Sequence, residues 1–439
     1  MWGCPFRDGA ELVSDTVRKA ELLLRQFQSV FTKEGVDLPS ALPRRYPEVE
    51  QITVVVAGVA KLLKNIKPGK ASGPDALPNV VLKNCADAIA PVLTCIFQRS
   101  LDTASLPADW HTANVSCIYK KEDKHNPANY RPVSLTSVVC KTLEHIIHRH
   151  IMLHLEQHGI LSTLNHRFRS GYSCETQLLT TFNDLSMSFD KGHQVDVTVL
   201  DFSKAFDTIP HKKLLFKLAS YGIGGQLHGW LSVLLMERTM KVILDGECSS
   251  EVTVESGVPQ GTVLGLLLFL CHINDIADGL SSTIRLFADD CLLYRVINSI
   301  QDQKALQEDL KRLELWAERW GMSFNASKCK ILIVKGKLPY FYTIHDTILE
   351  QITNSPYLGL DIADDLKWDR HISKITKKAN STLGFLRRNL RGFHEDQKRM
   401  SYIALVRSVL EYGSVVWDPY TRGNIDRLER ANGVQPDSW

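Results

Sequence analysis

The chain has 439 residues, more than one ordinary domain of roughly 150 residues and enough for about three. With 44% hydrophobic and 23% charged residues it is excluded from the disordered, collagen-like and coiled-coil classes. Lys and Arg number 52 against 49 Asp and Glu, a formal charge of +3 that does not by itself point to a nucleic-acid partner.

Residues 10–33 place apolar side chains at helical spacing and predict a helical lead-in, here bounded at 1–50. The text before it carries Arg7 and Asp8 where a signal peptide needs an apolar core. Helical patterns dominate 52–165, interrupted by a Gly/Pro/Lys loop at 66–78 and a short strand at 113–121. Residues 195–206 read as a strand running into a helix start, and 240–254 as a hairpin turning at Asp245-Gly246. Residues 283–296 are apolar on both sides of an acidic pair, and 301–320 form a long helix, so the class is α+β. The longest apolar run, Val263 to Cys271, is far short of the roughly 20 residues that span a bilayer, and no membrane partner is expected. Ten cysteines occur with no CxxC pair, which fits a reducing, intracellular setting. From Asp365 to Arg399 ten basic residues stand against four acidic ones, a candidate phosphate-tracking surface on helical text.

The informative feature is the placement of carboxylates. Asp201 follows VTVL, and Asp289-Asp290 lie between IRLF and CLLY. An ionised carboxylate among buried strand residues is unfavourable unless it is paired, hydrogen-bonded or bound to a metal. Three brought together would repel one another, and hard Mg²⁺ resolves that conflict. Acidic pairs alone are weak evidence, since Asp289-Asp290 also fits an ordinary hairpin turn and Asp364-Asp365 supplies a decoy.

Their company is SGVPQGTVLG at 256–265, where two glycines and a proline set a rigid turn ahead of an apolar helix. Backbone and the Gln260 amide can there approach a flat ligand. Phe206, five residues after Asp201, can pack under a sugar and exclude a 2′-hydroxyl, or be a core residue. His145, His148, His150, His154 and His158 fall on one helical segment, but without a matching Cys or carboxylate they read as a helix face rather than a zinc site.

VTVLDFSKAFDTIPH (197–211), SGVPQGTVLG with LLLFLCHINDI (256–276) and FADD (287–290) resemble, in order and spacing, the palm motifs of reverse transcriptases. GKASGPDALPNVVLK (69–83), NYRPVSLTSVVCKTLEHII (129–147), FRSGYSCETQLL (168–179), WGMSFNASKCKILIV (320–334) and SPYLGLDIADDLKW (355–368) narrow the resemblance to the non-LTR (LINE-like) retrotransposon type, over about residues 10–430. The resemblance implies a right-hand polymerase: fingers mainly in 51–194, palm with an antiparallel sheet mainly in 195–345, and a palm-thumb connection with a basic helical thumb in 346–439. It implies an RNA-directed DNA polymerase that adds deoxynucleotides to a DNA primer 3′-OH on an RNA template.

By that resemblance Asp201 and Asp289 are metal-binding carboxylates and Asp290 the third acidic palm residue, serving two Mg²⁺ ions with Mn²⁺ as the alternative. Phe206 matches the sugar gate and Gln260 the residue along the template base and incoming nucleotide. Arg131 matches a fingers residue on the triphosphate, assisted by Lys120 or Lys121. Lys328, or else Lys330, falls near the leaving pyrophosphate. Lys374, Lys377, Lys378, Arg387 and Arg388 fall in the thumb, where they would grip nucleic-acid phosphates.

Two positions depart from the usual motif text. Arg167 stands where Gly commonly precedes FR, and would strain the backbone if that glycine has positive φ; Leu266 stands where Pro commonly follows VLG. The text also begins without an endonuclease and fades after IDRLERAN, so a fragment or degenerate copy is expected. Competing expectations are an RNA-dependent RNA polymerase, which Phe206 disfavours, a catalytically impaired RNA-binding remnant, and a group II intron maturase. Nuclear and cytoplasmic action follows from the family, while the oligomeric state is left open.

Overall fold

The Val-rich text before Asp201 becomes the strand Gln194–Leu200, almost wholly buried. Its polar members are satisfied internally: Asp196 accepts from the Tyr342 hydroxyl at 2.6 Å and from Gln194 Nε2 at 2.8 Å, and the Thr198 hydroxyl donates to the Leu293 carbonyl. This strand is the middle of a five-stranded sheet in the order 350–352, 330–334, 194–200, 290–297, 283–287. The structure, a computed structural model, describes residues 4–33, 46–120 and 122–432, so the Lys121 alternative lies outside the described residues. The chain divides into two compact units that interleave in sequence. One comprises Met1–Thr163, Ser203–Ile276 and Leu315–Ser323, the other Leu164–Phe202, Ala277–Glu314 and Phe324–Trp439.

In the second unit the central sheet is covered by the helices Cys174–Asp190 and Asp369–Asn389. Leu178, Phe182 and Leu185 from one, and Ile372, Ile375, Ala379, Leu383 and Leu386 from the other, belong to a buried cluster with Val195, Val197, Leu292, Tyr294, Leu332 and Val334. Apolar residues at 3.6-residue spacing on the helices meet apolar residues at period two on the strands.

The first unit is built on strands Tyr130–Leu135, Thr112–Tyr119 and Thr239–Leu244, with Glu247–Cys248 beyond. The expected hairpin is present: Leu244 pairs with Glu247 across a two-residue turn, in which Asp245 (φ 49°) and Gly246 (φ 90°) both adopt the left-handed backbone that matches strand twist. The lead-in forms the helix Thr16–Gln28, capped by Asp15, whose carboxylate accepts from Arg18 N–H. It is integral to this unit, because Leu23, Leu24 and Phe27 bury against Val115, Tyr130, Met240 and Val242.

One expectation is corrected. The strand ending at Leu200 does not run into a helix; turns occupy the following residues, Lys204 takes φ 49°, and a helix begins only at His211 behind Pro210. Left-handed backbone and the proline both interrupt helix propagation there. In the histidine row, His154 is buried with Nε2 2.7 Å from the Tyr221 carbonyl, and His150 Nδ1 is 2.8 Å from that of Ile146, so both serve their own backbone surroundings.

The end of the helix Ile300–Trp320 is anchored in the first unit by a buried cation. Lys217, fully enclosed, donates to the Asp275 carboxylate and the His272 carbonyl and sits 3.8 Å from the Trp320 ring centroid, while Trp316 Nε1 donates to the same carboxylate at 2.9 Å. Removing one member strands a buried charge. Lys217→Met is therefore expected to destabilise the chain by about 3–5 kcal/mol, and Lys217→Met with Asp275→Leu by less than either single change, as read in urea unfolding.

Candidate active site

In the second unit, strand Asp290–Ile297 pairs antiparallel with Gln194–Leu200, Cys291 opposite Leu200. One further step of that register sets Asp201 across from Asp290. Asp289 stands beside it in the two-residue turn that links Phe287 to Asp290. Ala288 opens this turn at φ 57°, a conformation that ordinarily favours glycine, and its N–H points to Asn165 Oδ1 at 3.4 Å. The hairpin-turn expectation is thus met, with Asp289 in the turn and Asp290 opening the strand that follows.

The carboxylates themselves are not buried, which corrects the expectation from the apolar text. Asp289 and Asp290 are exposed and the Asp201 side chain is 46% exposed. The apolar runs are buried within the sheet, but each carboxylate lies where its strand ends, so hydration offsets the cost of charge. The Asp201 backbone is held from the other side: Asn325 N–H donates to its carbonyl at 2.8 Å, and its own N–H meets Cys329 Sγ at 3.4 Å. Lys328 Nζ stands 3.6 Å from Asp201 Oδ2, whereas Lys330 is engaged by Glu350 at 2.6 Å. Between the two lysines the geometry therefore selects Lys328 as the one beside the carboxylate.

The donor set fits a hard divalent ion, since it offers exposed carboxylate oxygens. Among the described residues no group of three His, Cys, Asp or Glu side chains is gathered into a ready cage.

Arg167 takes ordinary backbone, and the positive φ falls instead on Phe168 at 61°. The expected strain at Arg167 is absent because the left-handed turn is displaced by one residue. Its guanidinium lies 4.8 Å from the ring centroids of both Phe168 and Phe287, the residue that enters the acidic turn. Asp364 and Asp365 form a turn beyond the strand Leu360–Ala363, where Asp365 bonds Lys367 N–H, so the decoy is a local turn.

In the first unit the SGVPQG turn is fastened on two sides. Val258 N–H donates to the Phe206 carbonyl and Gly257 N–H to that of Ile209, both at 2.8 Å, while Ser134 N–H donates to the Gln260 carbonyl at 2.7 Å. This joins NYRPVSL, KAFD and SGVPQG. A cavity of about 50 Å³ is bounded by Phe206, Gln260, Pro132, Ser134 and, from the lead-in, Phe27 and Phe31. Phe206 stacks on Phe269 with centroids 4.1 Å apart, so it serves as both core and cavity residue. Arg131 is exposed on the strand that carries Pro132 and Ser134.

Three residues of these sites escaped the sequence reading. Asn165 supports the acidic turn, and Asp207 receives the Gln260 amide at 3.3 Å. Glu144, buried, accepts from Val263 and Leu264 N–H at 2.8 and 3.0 Å and so seats the helix Leu264–Ile273 that follows Gln260. A signal for Glu144 was present: it is the acidic member of an otherwise apolar stripe with Cys140, Ile147 and Ile151.

The basic helix Asp369–Asn389 belongs to the second unit. Arg370, Lys374, Lys377 and Arg388 return to one side of the helix, with Lys378 and Arg387 flanking, opposite the buried Ile372, Ala379 and Leu386. Lys374 pairs with Asp361 at 2.9 Å, and Arg370, Lys374, Lys377 and Arg427 line one open groove.

A sheet with carboxylates at the ends of adjacent central strands, covered by helices, defines the palm class of right-hand polymerases. Residues 118–362, more than half of the chain, match the reverse transcriptase (RNA-dependent DNA polymerase) family, and the chain belongs to it. It is 25% identical to the probable RNA-directed DNA polymerase from transposon BS of Drosophila melanogaster, over 98% of this chain and 51% of that protein. It is 26% identical to the probable RNA-directed DNA polymerase from transposon X-element of the same organism, over 84% and 42%. To the RNA-directed DNA polymerase from mobile element jockey of Drosophila funebris it is 29% identical, over 73% and 36%. The chain spans about half or less of the length of these relatives.

Gly261 (φ 105°) has no room for a side chain, since a Cβ would stand 2.7 Å from the Ser134 carbonyl oxygen. Gly261→Ala is expected to cost about 1–3 kcal/mol of stability in denaturant unfolding, with the strain lodged at the Gln260 turn.

Proposed function

We propose that the chain is the polymerase part of a non-LTR retrotransposon protein, an RNA-directed DNA polymerase that extends a DNA primer 3′-OH with deoxynucleoside triphosphates on an RNA template. The observation that supports this reading is the pairing of Leu200 with Cys291, which brings together the strand ends that carry Asp201 and Asp290, with Asp289 in the adjoining turn. Asp201 and Asp289 would hold the divalent ions, taken as two Mg²⁺ with Mn²⁺ as the alternative. When bound, such ions supply charge neutralisation for an attacking hydroxyl, a transferred phosphoryl group and leaving pyrophosphate. Lys328 balances charge beside Asp201 and suits an anionic leaving group. Arg131 offers a planar fork to phosphate oxygens. Phe206 selects the deoxyribose, and the stripe of Lys374, Lys377, Lys378, Arg387 and Arg388 tracks backbone phosphates without reading sequence. Action inside the cell, in nucleus and cytoplasm, goes with this reading of the chain as a retrotransposon polymerase.

The second reading, an RNA-binding remnant without turnover, draws on the exposed basic stripe alone. Primer extension on poly(A)/oligo(dT) separates the two. The parent is expected to incorporate dTTP in Mg²⁺ and to lose this with chelator, and Asp289→Ala to fall by at least about 10³-fold, as loss of a metal ligand removes transition-state charge stabilisation. No incorporation by a folded parent, with Asp289→Ala behaving the same, would leave only the remnant. Replacing Lys377 and Lys378 by Ala is expected to lower the slope of log affinity against log salt by about 1–2 for template–primer.

A further inference from the structure

We propose that Asp207 is a positioning residue for nucleotide selection, fixing the orientation of the Gln260 amide. The inference rests on the polymerase reading and adds a residue to which that reading gives no task. An amide has a donor end and an acceptor end, and which one meets a ligand depends on its second partner. Gln260 Nε2 faces Asp207 Oδ1 at 3.3 Å, so its carbonyl oxygen is the end turned away from the carboxylate. An ionised carboxylate only accepts hydrogen bonds; a protonated one donates, and would favour the reversed amide.

The backbone of Asp207 is held on both sides, so the carboxylate is a fixed reference. Its N–H donates to the Lys204 carbonyl at 2.8 Å, and its carbonyl accepts from Ser256 Oγ at 2.8 Å. Ser256 Oγ in turn accepts from Thr32 N–H at 2.9 Å, which ties the lead-in to the same point. Gly257 cannot carry a side chain, because a Cβ would lie 2.8 Å from Asp207 Cα.

Three cations, Lys204, Lys120 and Arg131, act on the carboxyl electrostatically. Burial pushes its pKa above the usual carboxylate value, against the pull of those cations and of the Gln260 hydrogen bond. As pH falls through the raised value, the carboxyl loses its charge and gains a donor that favours the reversed Gln260 amide, and nucleotide affinity declines with it; the acid limb belongs to KM.

The test compares Asp207→Asn and Asp207→Leu with the parent, measuring dNTP KM and kcat from primer extension across acid to neutral pH, and dNTP affinity directly by equilibrium titration. Asn, like the protonated carboxyl, is neutral and offers both an acceptor and a donor, and it does not titrate, so its KM is expected to be raised about threefold or more at neutral pH, near the parent's acid-limb value, and to show no acid limb. Leu removes the acceptor, and its KM is expected to rise about tenfold with kcat within about threefold. In a Gln260→Met background Asp207→Leu is expected to add less than about twofold. Asp207→Asn with the parent's acid limb, or Asp207→Leu with the same penalty in the Gln260→Met background, would overturn the inference. Should Asp207→Leu not fold by its melting curve, the Asp207→Asn pH profile decides. An inactive parent whose dNTP affinity still follows this pattern would refute the polymerase reading and leave the role of Asp207 standing.

Discussion

The constraint on which the site depends is that strand Gln194–Leu200 has both edges occupied. Asp290–Ile297 pairs on one side and Lys330–Val334 on the other, so the strand can neither slip nor fray without breaking two ladders. Asp201 is the first residue beyond them. Its position is thus set by backbone hydrogen bonds and buried valines several residues away, while its carboxylate stays in water. Placing a charge at the end of a rigid strand, instead of within it, avoids the desolvation penalty and keeps the oxygen donors open to a cation.

A similar economy governs the SGVPQG turn. Gln260 lies in a loop, but the loop is fastened to Ser134, Phe206 and Ile209 by backbone hydrogen bonds, and the helix after it is seated on the buried Glu144. Glycine is required where a neighbouring backbone approaches within 3 Å, so the positions that look most flexible in the text are the most closely packed. The lead-in helix enters the same arrangement, because Phe27 and Phe31 wall the cavity behind Phe206 and Thr32 bonds Ser256. A segment read as preliminary is part of the support of the turn.

The elements with the strongest periodicity were legible from the sequence, among them the Asp245-Gly246 hairpin, the helix ending at Trp320 and the amphipathic basic helix. Their signals are local, arising from side-chain spacing or from a turn that only certain residues adopt. The strand–turn segment after Asp201 was misread because the left-handed backbone at Lys204 has no marker in a lysine. Burial of the carboxylates was misjudged for a related reason: apolar neighbours in sequence reveal what the strand buries, but not where the ladder stops.

By itself the sequence determined the chemistry on offer: which carboxylates, which amide, which aromatic ring and which cations, in an order that resembles one polymerase family. The tertiary structure decided their company. It put Lys328 beside Asp201 and gave Lys330 to Glu350, moved the expected strain from Arg167 to Phe168, and brought Asp207 to Gln260 and Glu144 to the start of a helix 119 residues away. The physical reason is range. Propensity and periodicity act over a few residues, whereas hydrogen bonds and ion pairs form between groups that folding brings together, and no local pattern encodes which of two equivalent lysines will face Asp201.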